Sequence, residues 1–127
     1  MNKNILSLTA FLGALGVVTG ALAAHALKAK LSPDDMANVH TAVLYQMMHV
    51  LAVLAIAAIP FLAVKTKNRI AVLFLTAILF FSGSIYLISI FGINPGSIWF
   101  ITPLGGLLFI AGWLYLALAF YKSSRHG

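Results

Sequence analysis

Four long runs of apolar residues dominate the chain, and they predict four helices that cross a membrane. The runs cover residues 5–27, 43–64, 70–91 and 103–121, and none of them contains Asp, Glu, Lys or Arg. Each is close to the ~20 residues that a helix needs to cross the hydrocarbon core. The polar–apolar alternation of a membrane β-barrel is absent, and backbone groups in lipid must then bond within helices. We therefore predict an all-α integral membrane four-helix bundle, in a single domain over residues 1–127.

Proline and capping residues predict where these helices begin and end. The Ser-Pro-Asp-Asp sequence that starts at Ser32 predicts a helix N-terminus, because Ser is a good N-cap and Pro suits the first helical position. We expect a short interfacial helical turn there, before the second span. Pro60 predicts a bend or an end of that helix. Residues 65–69 (KTKNR) form the predicted second connection, Pro95 lies in a longer third loop, and Thr102 is the predicted cap of the fourth span.

Composition narrows the class of protein further. Hydrophobic residues make up 62% of the chain and charged residues 8%, whereas soluble domains are about half apolar and about a quarter charged. The mean hydropathy is +1.05. These values exclude an ordinary soluble globule, a disordered chain and a nucleic-acid-binding module. The absence of cysteine excludes disulfides and thiolate metal sites.

The distribution of charge predicts the orientation in the membrane. If the N-terminus is inside, only Lys28 and Lys30 lie on the outer side, and all other Lys and Arg residues lie on the inner side. The positive-inside rule then places both termini in the cytoplasm of a bacterium, with the chain in the inner membrane. The bases at the ends of the apolar runs also suit anionic lipid headgroups.

Most polar residues of the spans share one depth, in the outer half of the predicted bundle. They are His25, Tyr45, Gln46, His49, Ser82, Ser84, Tyr86 and Thr102. A polar group that faces lipid without a partner is costly, so these groups should face one another or a cavity. Two interpretations remain open: interhelical hydrogen bonds, or a pocket that binds a lipid, a quinone or a segment of a partner protein.

Small residues predict where helices approach closely. The candidates for helix packing are Gly13, Gly16, Gly20, Gly105, Gly106 and Gly112. The first span has a GxxxG motif at Gly16 and Gly20, which permits close contact between membrane helices. This stripe packs either inside the bundle or between protomers. A homo-oligomer or a larger membrane complex is therefore among the expected partners, besides the lipid bilayer.

Four segments carry a resemblance to a known family. They are GALAAHALK at residues 20–28, YQMMH at 45–49, FSGSIY at 81–86 and ITPLGGLLFIAGW at 101–113. In this order they resemble the YgdD-like family, small four-span membrane proteins of unknown function. Leu22-Ala23 stands where that family often has Phe-Gly. The resemblance implies a fold and a membrane location, and it implies no reaction, substrate or catalytic residue.

The function expected from the residues is non-enzymatic binding or an accessory role, with no cofactor and no metal site. The spans contain no carboxylate, so a nucleophile, base and orienting group are hard to assemble. The alternatives are a small proton-coupled transporter and a haem-binding bundle that uses His25 and His49. His126, in the charged C-terminal tail, is interpreted as a solvated residue.

Overall fold

A computed structural model describes residues 1–125, and its regular structure is entirely helical over that range. The helices are α1 (Lys3–Ala24), α2 (Pro33–Ala58), α3 (Val64–Ser89), α4 (Pro95–Ile98) and α5 (Ile101–Ser124). All except the short α4 are long and apolar enough to cross a membrane. The prediction of an all-α, four-span membrane protein is confirmed. His126 lies outside the described residues.

The helix predicted to begin near Pro33 is confirmed, and it is longer than one span. The Ser32 hydroxyl accepts a hydrogen bond of 3.1 Å from the backbone N–H of Asp35, as an N-cap should. The interfacial turn and the second span form one continuous helix of 26 residues. Ile59 caps its C-terminus and Pro60 follows, so the prediction that Pro60 ends this helix is also confirmed.

Two local predictions differ from the structure. The turn between α2 and α3 lies at residues 59–63 and not at 65–69, because Pro60 stops α2 early and the KTKNR segment forms the first turns of α3. Charged residues are tolerated in those turns since water and headgroups solvate the ends of membrane helices. Thr102 is not an N-cap: α5 begins at Ile101, and the Phe100 cap position makes no side-chain hydrogen bond.

Helix α3 lies at the centre of the bundle. It packs antiparallel against α2 on one side and α5 on the other, whereas α1 packs mainly on α2. Phe74 and Ile70 of α3 are fully buried, and they pack with Val53 of α2 and Phe109 of α5. By contrast, most large side chains of α1 and α5 point outward, as expected where the surrounding solvent is lipid.

The glycine stripe of α1 faces α2, inside the bundle. A Cβ atom built on Gly16 would lie 2.5 Å from Sδ of Met47 and 3.4 Å from Nε2 of Gln46. One built on Gly20 would lie 3.6 Å from Val43. The missing side chains thus let α1 and α2 approach, and the GxxxG face is occupied within the protomer.

Two glycines of α5 likewise permit a close approach between α5 and α3. A Cβ on Gly105 would lie 2.8 Å from Cβ and 2.9 Å from Cα of Phe81. One on Gly112 would lie 2.7 Å from Cδ1 of Phe74. A Cβ on Gly106 would meet no atom within 4 Å, so this glycine takes no part in the contact.

Candidate functional site

His49 of α2 uses both of its ring nitrogens within the bundle. Its Nδ1 lies 2.7 Å from the carbonyl oxygen of Tyr45, and its Nε2 lies 3.0 Å from the indole nitrogen of Trp113 in α5. A carbonyl only accepts and an indole N–H only donates, so Nδ1 carries the hydrogen and Nε2 accepts. The ring is 2% exposed and stacks on Phe109, with centroids 3.8 Å apart.

Gln46 connects three helices. Its Nε2 donates to the backbone carbonyl of Leu12 in α1 at 2.6 Å, and its Oε1 accepts from the Tyr86 hydroxyl of α3 at 2.7 Å. Gly16 lies one turn beyond Leu12, and its missing side chain leaves room for the amide to reach that carbonyl. Both ends of the buried amide are therefore paired.

Serine hydroxyls connect α3 to both of its neighbours. Ser82 donates to the carbonyl of Ala42 in α2 at 2.7 Å. The hydroxyls of Ser84 and Thr102 hydrogen-bond to each other across α3 and α5, and Ser84 also donates to the carbonyl of Phe81 at 3.0 Å. Thr102 thus pairs with a neighbouring helix and does not cap its own.

The structure does not bring His25 and the Tyr45 hydroxyl into these bonds. His25 lies exposed at the C-cap of α1, and its ring makes no hydrogen bond or ring contact within residues 1–125. The Tyr45 ring packs against Phe81 and Phe109, with centroids 4.7 and 5.8 Å away. Its hydroxyl has no hydrogen-bond partner among the described residues. We use the name polar cluster for the residues that do pair: Gln46, His49, Ser82, Ser84, Tyr86, Thr102 and Trp113.

Gln46 and His49 lie near the middle of α2, whereas Ser84, Tyr86 and Thr102 lie near the ends of their helices. α2 extends ten residues before the apolar run 43–64, so the position of Gln46 and His49 along the helix differs from their position along the run. The apolar run 43–64 includes the turn after Pro60, which shifts the apparent centre of the span. The centre of the apolar run 43–64 therefore differs from the centre of helix α2.

The buried polar side chains of the polar cluster are already hydrogen-bonded. No buried side-chain nitrogen or oxygen among the described residues lacks a hydrogen-bond partner. Ser82 and Ser84 bond to other groups than His49, so neither hydroxyl has this imidazole as a base. Haem ligation by His49 would require breaking its bond to Trp113, and His25 faces away. Within residues 1–125, no three His, Asp or Glu side chains gather as metal ligands.

Trp113, which the sequence indicates only as a packing residue deep in the fourth span, completes the cluster. The sequence offers a signal for it, because an indole N–H deep in a span needs an acceptor. It also lies four residues after Phe109, so both rings reach His49 from the same face of α5. The acceptor was not evident, since pairing of α2 with α5 depends on the three-dimensional arrangement.

The opposite part of the molecule, which we call the basic end, has a different character. It contains Lys3, Lys65, Lys67, Arg69, Lys122 and Arg125. The two acidic residues of the chain, Asp34 and Asp35, lie at the other end of the bundle, in the first turn of α2. No acidic side chain therefore lies at the basic end within the described residues.

Two open grooves lie at the basic end. The loop groove, of about 930 Å³, is formed by the α2–α3 turn and the last turns of α5, with Phe61, Leu118 and Ala119 among its lining residues. The α3 groove has a volume of about 830 Å³. Its lining residues are Val64, Lys65, Asn68, Arg69, Val72, Leu73 and Tyr115. Tyr115 borders both grooves, and sequence reasoning identified neither of them.

The cations of the basic end differ in what they contact. Lys67 is 7% exposed, and its Nζ donates at 3.0 Å to the carbonyl of Ala57 in the last turn of α2. This is a favourable position for a cation, because the C-terminus of a helix carries partial negative charge. Lys65 and Arg69 are exposed, and neither side chain has an ion pair or hydrogen bond within residues 1–125.

Comparison with known proteins shows related chains of the same size. A UPF0382 membrane protein of Haemophilus influenzae is 39% identical over 127 residues, which cover 97% of this chain and 98% of the relative. The UPF0382 membrane protein SH2409 of Staphylococcus haemolyticus is 41% identical over 108 residues, 85% of this chain and 87% of the relative. The UPF0382 inner membrane protein YgdD of Escherichia coli K12 is 31% identical over 134 residues, 99% and 95% of the two chains.

The family described as "Protein of unknown function (DUF423)" matches residues 19–106. No solved structure matches the chain significantly. The matched residues run from the last turns of α1 to the first turns of α5. The family match, the full-length relatives and the four apolar helices agree, and the chain belongs to the DUF423 family as a multi-pass protein of the bacterial cytoplasmic membrane.

Proposed function

We propose that this chain is a non-enzymatic binding module of the membrane, which takes up a lipid in the grooves of its basic end. In this proposal the polar cluster is an interhelical network and not a ligand pocket. The observation that carries the proposal is the pair of open grooves at the basic end, of about 930 and 830 Å³. Both volumes fall within the ~300–1,000 Å³ that binding clefts occupy.

The bonding pattern of the polar cluster supports its role as a network. Gln46 bonds to α1 and α3, Ser82 to α2, and Ser84 to α5. The His49–Trp113 bond adds the contact between α2 and α5. These five bonds join four different pairs of helices. An incoming ligand would need to break such a bond before one of these side chains could donate to it.

The chemistry of the grooves supports lipid as the occupant. Their linings are mainly apolar, with Phe61 and Leu118 in the loop groove and Val72 and Leu73 in the α3 groove. Cationic side chains lie at the same level, where the helices end and headgroups begin. A molecule with an apolar tail and a polar head matches both features, and phospholipids surround this surface in any bilayer.

The proposal includes an orientation, with the basic end in the cytoplasm. The charge asymmetry supports it, because Lys28 and Lys30 are the only cations at the opposite end and Asp34 and Asp35 lie beside them in the sequence. An epitope tag after residue 127 should be digested in inside-out vesicles and protected in right-side-out ones. The reverse pattern would overturn the orientation.

Native mass spectrometry of protein extracted in mild detergent tests the proposed binding. We expect the wild type to retain a phospholipid mass. The double variant Val72→Trp/Ala119→Trp, which fills both grooves, should lose it. Ala117→Trp is the matched control, because Ala117 is exposed on α5 and lines neither groove.

A variant of the polar cluster shows whether a ligand binds in that cluster or in the grooves of the basic end. Trp113→Phe removes the hydrogen bond to His49 and keeps an aromatic ring in place, so this variant should fold and retain the lipid. A bound mass that disappears in Trp113→Phe and survives in the groove-filled variant would place the ligand in the polar cluster. Retention of no lipid by the wild type would also overturn the proposal.

A further inference from the structure

We infer that the α3 groove is a site for an anionic phospholipid, whose phosphate is held by Lys65, Asn68 and Arg69. This inference rests on the proposed function, that the grooves take up lipid, and adds the headgroup class and the residues that recognise it. The acyl chain would lie along the apolar part of the groove, at Val72 and Leu73.

Three donor side chains lie side by side at the head of the groove. Lys65, Asn68 and Arg69 are spaced i, i+3 and i+4, so they share one face of α3. The Oδ1 atom of Asn68 accepts a hydrogen bond of 3.1 Å from the backbone N–H of Asn2. This bond orients the amide so that its Nδ2 remains a donor. The three side chains together present donors without a competing acceptor.

The charge around this site is uncompensated. Lys65 and Arg69 make no ion pair or hydrogen bond within the described part of the chain, and both acidic residues of the protein lie at the opposite end of the bundle. A phosphate supplies the missing negative charge, and a guanidinium binds it through two parallel hydrogen bonds. Two free cations on adjacent turns thus favour an anion.

The direction of the groove matches the shape of a phospholipid. Lys65 and Leu73 are eight residues apart on α3, which is ~12 Å along the helix axis. The donor side chains lie at the helix end, and the apolar side chains lie further toward the hydrocarbon core. A lipid beside α3 therefore places its phosphate against the donors and its acyl chain against Val72, Leu73 and Tyr115.

The charge of the site distinguishes between headgroups. Phosphatidylcholine and phosphatidylethanolamine carry their own cation next to the phosphate, and that cation would be repelled by Lys65 and Arg69. Phosphatidylglycerol has no such cation. A cation near an anionic lipid surface contributes about 1 kcal/mol to binding, so the pair, at about 2 kcal/mol, favours the anionic lipid by about thirtyfold.

The experiment is a lipid titration of the purified full-length protein by native mass spectrometry, with dioleoyl-phosphatidylglycerol and dioleoyl-phosphatidylcholine as probes. We expect the wild type to prefer phosphatidylglycerol. The variant Lys65→Gln/Arg69→Gln should lose about thirtyfold of that preference. Lys28→Gln/Lys30→Gln removes the same charge from the opposite end and should keep the preference. All four side chains are exposed, so these variants should retain their helical circular dichroism.

The outcomes separate the inference from the proposed function. Equal retention of both lipids by the wild type would overturn the anionic site and leave lipid uptake intact. Retention of neither lipid would overturn the proposed function itself. An equal loss of preference in both double variants would show a general effect of surface charge and would also overturn the site. Asn68→Leu, which keeps the net charge, should weaken phosphatidylglycerol binding more than phosphatidylcholine binding.

Discussion

The polar cluster and the basic end handle polar groups in opposite ways. In the polar cluster, Gln46 and His49 have every side-chain nitrogen or oxygen bonded to another helix or to their own backbone. At the basic end, Lys65 and Arg69 have no partner among the described residues, and grooves open beside them. The first region is complete as it stands, whereas the second has unused charge and space.

This difference reflects the solvent at each depth. A polar group inside the hydrocarbon region finds no water, so only the protein can satisfy it. At the ends of the helices, water and headgroups supply partners, and the chain can leave its cations free. Lys67 is the intermediate case, because it lies at the basic end but bonds to the carbonyl of Ala57. In a membrane protein, polar residues therefore indicate a binding site where their donors and acceptors have no partner within the protein.

The largest effect should come from His49→Ala. The substitution leaves a cavity beside Phe109 and removes the acceptor of the Trp113 N–H, so the free energy of unfolding should fall by about 3–4 kcal/mol. Unfolding in mixed micelles of mild detergent and dodecyl sulfate, followed by circular dichroism, measures this change. His40→Ala is the control, since His40 is exposed on the same helix. Equal stability of the two variants would contradict the network.

A second effect should come from Gly105→Ala, at the contact between α5 and α3. The new Cβ would lie within 2.8 Å of Cβ of Phe81, so α5 must shift and the free energy of unfolding should fall by about 2 kcal/mol. Gly106→Ala is the matched control, because nothing lies within 4 Å of its Cβ position. The same unfolding assay should find that control unchanged or slightly more stable. If both alanines acted alike, α5 would not pack at Gly105.

A smaller effect should come from Gln46→Leu, which removes two interhelical hydrogen bonds while keeping the volume. Such bonds contribute ~0.6 kcal/mol each on average, so the loss should be about 1 kcal/mol. A double-mutant cycle with Tyr86→Phe isolates the bond between these two side chains and should give a coupling of about 0.6 kcal/mol. Strictly additive single substitutions would mean that the bond contributes nothing.

The smallest effect should come from Lys67→Met, which tests the basic end. Loss of the bond to Ala57 and of the cation at the C-terminus of α2 should lower the free energy of unfolding by about 0.5–1 kcal/mol. Lys65→Met should leave it unchanged, because Lys65 is exposed and unpaired among the described residues. The free energies of unfolding of the two variants in the same micelles show whether Lys67 stabilises the fold and Lys65 does not.

The sequence was sufficient for the fold because its main signals are local. Apolar length predicts four spans, and Ser32 and Pro60 mark the two ends of α2. The prediction for the start of α3 is wrong, because the charged residues 65–69, predicted as a connection, are helical. Hydropathy describes where a segment meets lipid, whereas capping and proline describe where a helix ends.

The candidate site was predicted less completely, because depth along a helix says nothing of direction around the bundle. Ser82, Ser84 and Tyr86 share one predicted depth, and their separate bonds to α2 and α5 depend on which way each side chain faces. His25 shares a similar predicted depth, but α1 ends at Ala24 and the ring faces outward. The grooves could not be predicted either, since they arise where neighbouring helices separate.

Several bonds between helices end on a backbone carbonyl and not on a side chain. Gln46 bonds to the carbonyl of Leu12, Ser82 to that of Ala42, and Lys67 to that of Ala57. Every residue type supplies such an acceptor, so only the donor requires a particular side chain. These position pairs should therefore show little covariation among related chains. The pairs Gln46–Tyr86, Ser84–Thr102 and His49–Trp113, in which both partners are side chains, should change together.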